Sequence, residues 1–120
     1  MILICTGGRD YDEHKMVDRV LTNALKIYGD WFEVFVGDAK GADELVRKWC
    51  KDYNVKCTVF KAQWDKHGNP AGPIRNQIMV DAALHIADKV AGVAFPGSKG
   101  TAHCRDYMKS QNIKVHVVNE

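Results

Sequence analysis

The chain has 120 residues, 46% of them hydrophobic and 27% charged, with a formal net charge of +2. That composition belongs to a globular domain with one core and excludes a disordered chain. No run of about 18 apolar residues is present, which excludes a membrane-spanning helix, and the weak basic balance argues against a dedicated nucleic-acid-binding domain.

The apolar start, Ile2 to Cys5, lacks a basic leading region and is too short for a secretory signal, so it is read as a buried first strand ending in Thr-Gly-Gly. Met16, Val17, Val20, Leu21, Ala24, Leu25 and Tyr28 then recur at three- and four-residue steps, one buried face of a helix. Asp10 with Glu13 forms an acidic variant of the capping box, and Gly29 closes the helix. Residues 33–36 make a second strand. Ala42, Leu45, Val46, Trp49, Cys50 and Tyr53 mark a second helix that ends at Asn54, and 55–60 alternate as a third strand. A polar loop, 61–72, leads to Pro73 in the first turn of a third helix, whose face carries Ile74, Ile78, Met79, Ala82 and Ala83. A strand over about 89–95, a helix over about 100–111 and a last strand over 114–118 complete the chain.

This alternation predicts an α/β fold: a single Rossmann-like doubly wound domain over residues 1–120, with about five parallel strands and helices on both faces. Cys5, Cys50, Cys57 and Cys104 form no Cys-x-x-Cys pair and have no His at zinc-finger spacing. They are read as reduced thiols acting as small hydrophobes, which places the chain in the cytoplasm. No metal and no cofactor are expected.

In a doubly wound sheet, ligands bind beyond the carboxyl ends of the strands, near the point where strand order reverses. The loop after the first strand holds Gly7 and Gly8, which let the backbone approach an anion, and Arg9, whose fork of donors suits a phosphate. After the second strand come Gly37, Asp38, Lys40 and Asp43. Asp38 is suited to ribose hydroxyls and Lys40 to a phosphate, while Asp43 serves either a ligand or the dipole of the following helix. After the fourth strand, Gly97, Ser98, Lys99, Gly100 and Thr101 open a helix, the sharpest phosphate-cradle signal in the chain. Neither the P-loop nor the Gly-x-Gly-x-x-Gly spacing is present. In the long segment 61–79, Trp64 is suited to stack on a base or to anchor the loop. His67 is read as a solvated loop residue. Arg75 and Asn76 belong to the first turn of the third helix, where an arginine opposes the dipole and calls for another reason.

Together the segments Thr-Gly-Gly-Arg-Asp at 6–10, Gly-Asp-Ala-Lys-Gly-Ala-Asp at 37–43, Ala-Gly-Pro-Ile-Arg-Asn-Gln-Ile-Met at 71–79 and Phe-Pro-Gly-Ser-Lys-Gly-Thr at 95–101 resemble the SLOG superfamily of Rossmann-like nucleotide-binding domains, in particular its small YspA-like branch. The superfamily includes the LOG phosphoribohydrolases. Their Pro-Gly-Gly-x-Gly-Thr-x-x-Glu pattern aligns with residues 96–104, with Ser98 in place of the middle glycine and Cys104 in place of the catalytic glutamate; their catalytic arginine matches Arg75. The resemblance therefore implies a nucleotide-like ligand more than it implies the LOG reaction. Cleavage of an N-glycosidic bond calls for a carboxylate near an oxocarbenium-like state, and a neutral thiol does not supply one.

The expected function is binding of a nucleotide or nucleotide-derived phosphorylated ligand, as a sensor or sequestering module. An N-glycosidic hydrolase using Arg75 and Asp38 is the second expectation, and a nucleic-acid-binding module the third. The resemblance also implies a homo-oligomer. No membrane partner is expected.

Overall fold

The computed structural model describes residues 1–29 and 32–119. Ten elements follow one another: β1 (Ile2–Thr6), α1 (His14–Tyr28), β2 (Glu33–Gly37), α2 (Ala42–Asp52), β3 (Cys57–Phe60), α3 (Trp64–His67), α4 (Ala71–Ile86), β4 (Val90–Ala94), α5 (Lys99–Ser110) and β5 (Lys114–Val117). All strand pairs are parallel, in the order β3-β2-β1-β4-β5. The order reverses beside β1, between β1 and β4, and this is where a doubly wound sheet opens a crevice at its carboxyl ends.

Strand β1 is buried along its whole length because helices cover both of its faces. Leu3 and Cys5 face a core built with Val34 and Val36 of β2, Val17 and Leu21 of α1, and Val46 and Trp49 of α2. The intervening Ile2 and Ile4 face a second core with Phe35 of β2, Met79 and Val80 of α4, and Cys104 and Met108 of α5. Helices α1 and α2 thus cover one face, and α4 and α5 the other. The period-2 side-chain alternation of each strand assigns its residues to one core or the other. Each fully buried Leu, Ile or Val contributes about 1.5–3 kcal/mol through the area it removes from water. Among the described residues no helix is long and apolar enough to cross a membrane.

The expected fold class holds, with four local differences. The Asp10–Glu13 capping box does not form; Glu13 is itself the N-cap residue of α1 and makes no side-chain cap bond. Gly29 does close the helix, with φ +69° and its N–H donating to Leu25 O. The third strand starts at Cys57, two residues late, because Val55 N–H donates to Cys50 O and so finishes α2 before strand pairing begins. The segment expected as a polar loop contains α3, and α4 begins at Ala71, which moves Arg75 and Asn76 from the first helical turn to the second.

Candidate functional site

An open cleft of about 940 Å³ lies beyond the carboxyl ends of β1 and β4. Its walls are the loops after β1, β2 and β4, parts of the segment from Trp64 to Asn76 and the start of α5, and backbone hydrogen bonds lace the loops together. Gly8 is the hub. Its N–H donates to Pro96 O at 2.8 Å, tying the loop after β1 to the loop after β4. Its carbonyl accepts from Ala42 N at 3.0 Å, the first residue of α2. Gly97 is confined by this crossing: a Cβ there would lie 2.7 Å from Gly8 N and would collide with the Thr101 hydroxyl. Only hydrogen fits.

Helix α5 opens onto this crossing. Ser98 is its N-cap residue yet makes no side-chain cap bond, and the first turn carries no acidic residue. The first amides of a helix have no intrahelical acceptors, and the dipole adds positive potential there. Lys99 adds a full charge at the same end, where a cation is disfavoured unless an anion arrives. Helix α2 makes the contrast. Its first turn contains Asp43 and Glu44, and Asp43 Oδ2 accepts from Ala39 N at 3.3 Å, so that terminus supplies its own anion.

Asp43 is 5% exposed on the cleft floor. Burial pushes its carboxyl pKa up, while the charge of Arg75, the Ala39 amide and the charge of Arg47 pull the other way. Arg47 Nη1 donates to Gly37 O at 2.9 Å and Ala39 O at 3.0 Å, which fixes the loop after β2. Arg75 reaches the same loop from α4. Its Nη1 donates to Asp38 Oδ1 at 2.8 Å and to Phe60 O at 3.3 Å, and its Nε to Asn76 Oδ1 at 2.8 Å. A Cβ on Gly37 would lie 2.6 Å from Arg75 Nη1 and 2.7 Å from Asp43 Oδ2, so the cation and the buried carboxylate converge over that glycine. The partners on the loop after β2 are the reason for an arginine near the start of α4. Asn76, itself buried, turns its Nδ2 toward Gly100 O at 3.5 Å and joins α4 to α5. At the mouth of the cleft, the Arg9 guanidinium lies 5.3 Å from the centre of the Trp64 ring, a cation–π distance.

Of the residues singled out in the sequence, Gly7, Gly8, Arg9, Asp43, Trp64, Arg75, Asn76, Gly97, Ser98, Lys99, Gly100 and Thr101 all line the cleft. Gly37, Asp38 and Lys40 are outside its lining. Asp38 is engaged by Arg75 and by the Ala62 amide at 3.3 Å, and Lys40 is exposed. Cys104, at the position of the LOG glutamate, is fully buried, and burial pushes its thiol pKa up to about 11 against the opposing Thr6 hydrogen bond and Arg75 charge. It is a neutral thiol at neutral pH.

Sequence reasoning missed Tyr11, Asn69, Pro73 and His103, which also line the cleft. Tyr11 packs its ring 5.6 Å from that of Phe95 and belongs to the core as much as to the cleft, a contact that only the fold creates. His103 falls at a variable position of the 96–104 pattern, between Thr101 and Cys104, so the motif itself gives it no role.

The profile of the YspA, cpYpsA-related SLOG family matches residues 1–67. The Gene 61 protein of Mycobacterium phage D29 is 30% identical over 124 residues, which cover 98% of this chain and 94% of the phage protein.

Proposed function

The chain belongs to the YspA, cpYpsA-related SLOG family, and on that premise we propose that it binds a nucleotide or nucleotide-derived phosphorylated ligand in the switch-point cleft, as a sensor or sequestering module. The observation that carries this reading is the start of α5. It is an uncapped helix N-terminus with no acidic residue of its own, facing a crossing of glycine backbones where the sheet order reverses. The phosphate rests on the amides and hydroxyls of Gly97–Thr101, opposite Gly7 and Gly8. Lys99 and Arg9 supply charge. Trp64, 44% exposed, offers a ring face to a base. In this reading Arg75 and Asp38 hold the loop after β2 in place, and residues 1–120 act as one binding unit. Binding is favoured over cleavage because the buried thiol of Cys104 offers no charge to an oxocarbenium-like state.

A thermal-shift panel of 5′-mononucleotides, cyclic nucleotides, ADP-ribose and NAD tests the proposal. A member present at about 100 times its Kd stabilises the fold by about 2.7 kcal/mol. A panel in which no member raises the melting temperature would sink the proposal.

A further inference from the structure

His103 lies on α5 three residues past Gly100 and lines the cleft. Its Nδ1 is shut away from solvent and, among the described residues, has no hydrogen-bond partner. A buried polar atom left unpaired costs about 1–3 kcal/mol, and folded proteins contain few of them. Asn76, which also lines the cleft, spends its amide nitrogen on Gly100 O and its amide oxygen on Arg75, and the thiol of Cys104, the next residue on α5, is buried in the core.

We propose that His103 recognises the part of the ligand attached to the phosphate, its ring turning as the ligand enters so that Nδ1 leaves its buried, unpartnered position and forms a hydrogen bond with a sugar hydroxyl or a base amino group of the nucleotide. An imidazole nitrogen accepts such a bond, or donates one in the other tautomer. At the helical rise, His103 stands about 4.5 Å along α5 from Gly100. That is far enough from a phosphate seated on the first turn to meet what the phosphate carries. The inference rests on the nucleotide-binding reading above. It adds a residue that the glycine loops do not reveal, and a division of labour in which the loops hold the anion and His103 reads the rest.

The test compares inorganic phosphate with the best nucleotide of the panel, by titration calorimetry and thermal shift, on the wild type, His103→Ala and His103→Asn. The asparagine amide occupies the place of Nδ1 and keeps a hydrogen-bonding atom there. Nucleotide affinity falls about tenfold or more in the alanine variant, the scale of one lost hydrogen bond. It largely recovers in the asparagine variant, while stabilisation by phosphate is the same in all three. Equal nucleotide affinity in His103→Ala overturns the inference alone, and so does a parallel loss of phosphate binding, which marks a structural role. A wild type that binds phosphate but no nucleotide overturns both this inference and the reading beneath it. Should the alanine variant not fold, the nitrogen resonances of the wild-type His103 ring provide the second measurement. They shift with saturating nucleotide and stay fixed with phosphate; a ring that does not respond to bound nucleotide overturns the inference.

Discussion

Two concavities among the described residues are of similar size and very different character. The cleft at the strand ends encloses about 940 Å³, and a groove between α1 and the β4–β5 side of the sheet about 1060 Å³. The groove is bounded by Met16, Val20 and Ile27 of α1, by Ala91 and Val93 of β4, and by Lys114 and His116 of β5. Its walls are the flank of a helix and the face of a sheet, surfaces that present side chains and, outside the free edge of β5, keep their backbone donors for the helix and the ladder. The cleft is walled by strand ends, loops and the start of a helix, and at that start the first backbone N–H groups have no intrahelical acceptor. Volume therefore does not separate a binding site from a furrow between packed elements. The presence of uncommitted backbone polarity with convergent charge does.

Gly97→Ala tests that distinction most severely. The added methyl meets Gly8 N and the side chain of Thr101, so the two glycine loops are forced apart. Overpacking of this kind costs about 1–3 kcal/mol, and stabilisation by every nucleotide of the panel disappears. Gly100→Ala is the control for the fold alone, since nothing lies within 4 Å of its added methyl. Its fold is unchanged or gains up to about 1 kcal/mol of helix propensity. Full nucleotide binding by Gly97→Ala would show that the loop crossing is not the site.

Arg75→Ala has the next largest effect, this time on stability. The arginine side chain is 10% exposed and its partner Asp38 32%. Breaking a fully buried pair costs about 3–5 kcal/mol; with a third of Asp38 in water, about 2 kcal/mol is expected in urea unfolding. Arg75→Lys recovers little of it, because one ammonium does not reproduce the bonds to Asp38, Phe60 O and Asn76 together. A variant as stable as the wild type would mean that the loop after β2 is held by Arg47 alone.

How much of this was legible in the sequence follows from the range of each interaction. Buried parallel strands read as short apolar runs and their helices as three- and four-residue steps, so Ile2–Cys5 and Met16–Tyr28 announced themselves. Glycine loops at strand ends are local signals as well, and Gly7, Gly8 and Gly97–Thr101 do meet at the switch point. The pairing of Arg75 with Asp38 spans 37 residues of sequence. Only the packing of α4 beside β2 creates it, so Asp38 looked like a ribose ligand when considered with its neighbours alone. Helix α3, four residues long, is too short for a hydrophobic period to show.

A smaller effect is expected at Asp43. Its folded pKa lies above the ordinary carboxylate value, with burial as the first cause. The folded protein thus holds this proton more tightly than the unfolded chain. The stabilisation is complete below the unfolded pKa and is lost as pH rises through the folded one. Asp43→Asn removes the penalty of ionising there, so the variant gains on the wild type between about pH 4 and about pH 7, by about 1.4 kcal/mol for each unit of the shift. Urea unfolding at the two pH values measures the gap. A gap that shrinks toward neutrality would mean that Arg75 and Arg47 outweigh burial.

The smallest effect belongs to the groove. Ile27 is 66% exposed on α1, and Ile27→Ser should change stability by no more than about 0.5 kcal/mol, the usual range for a surface site without special partners. It should leave nucleotide-induced stabilisation untouched, because the groove offers side chains and no anion-binding backbone. Both readings come from one thermal-shift series with and without the best nucleotide. A loss of binding in Ile27→Ser, with the fold intact, would move the ligand from the strand ends to the sheet face. The contrast between committed and uncommitted backbone would then fail as a guide to where this protein works.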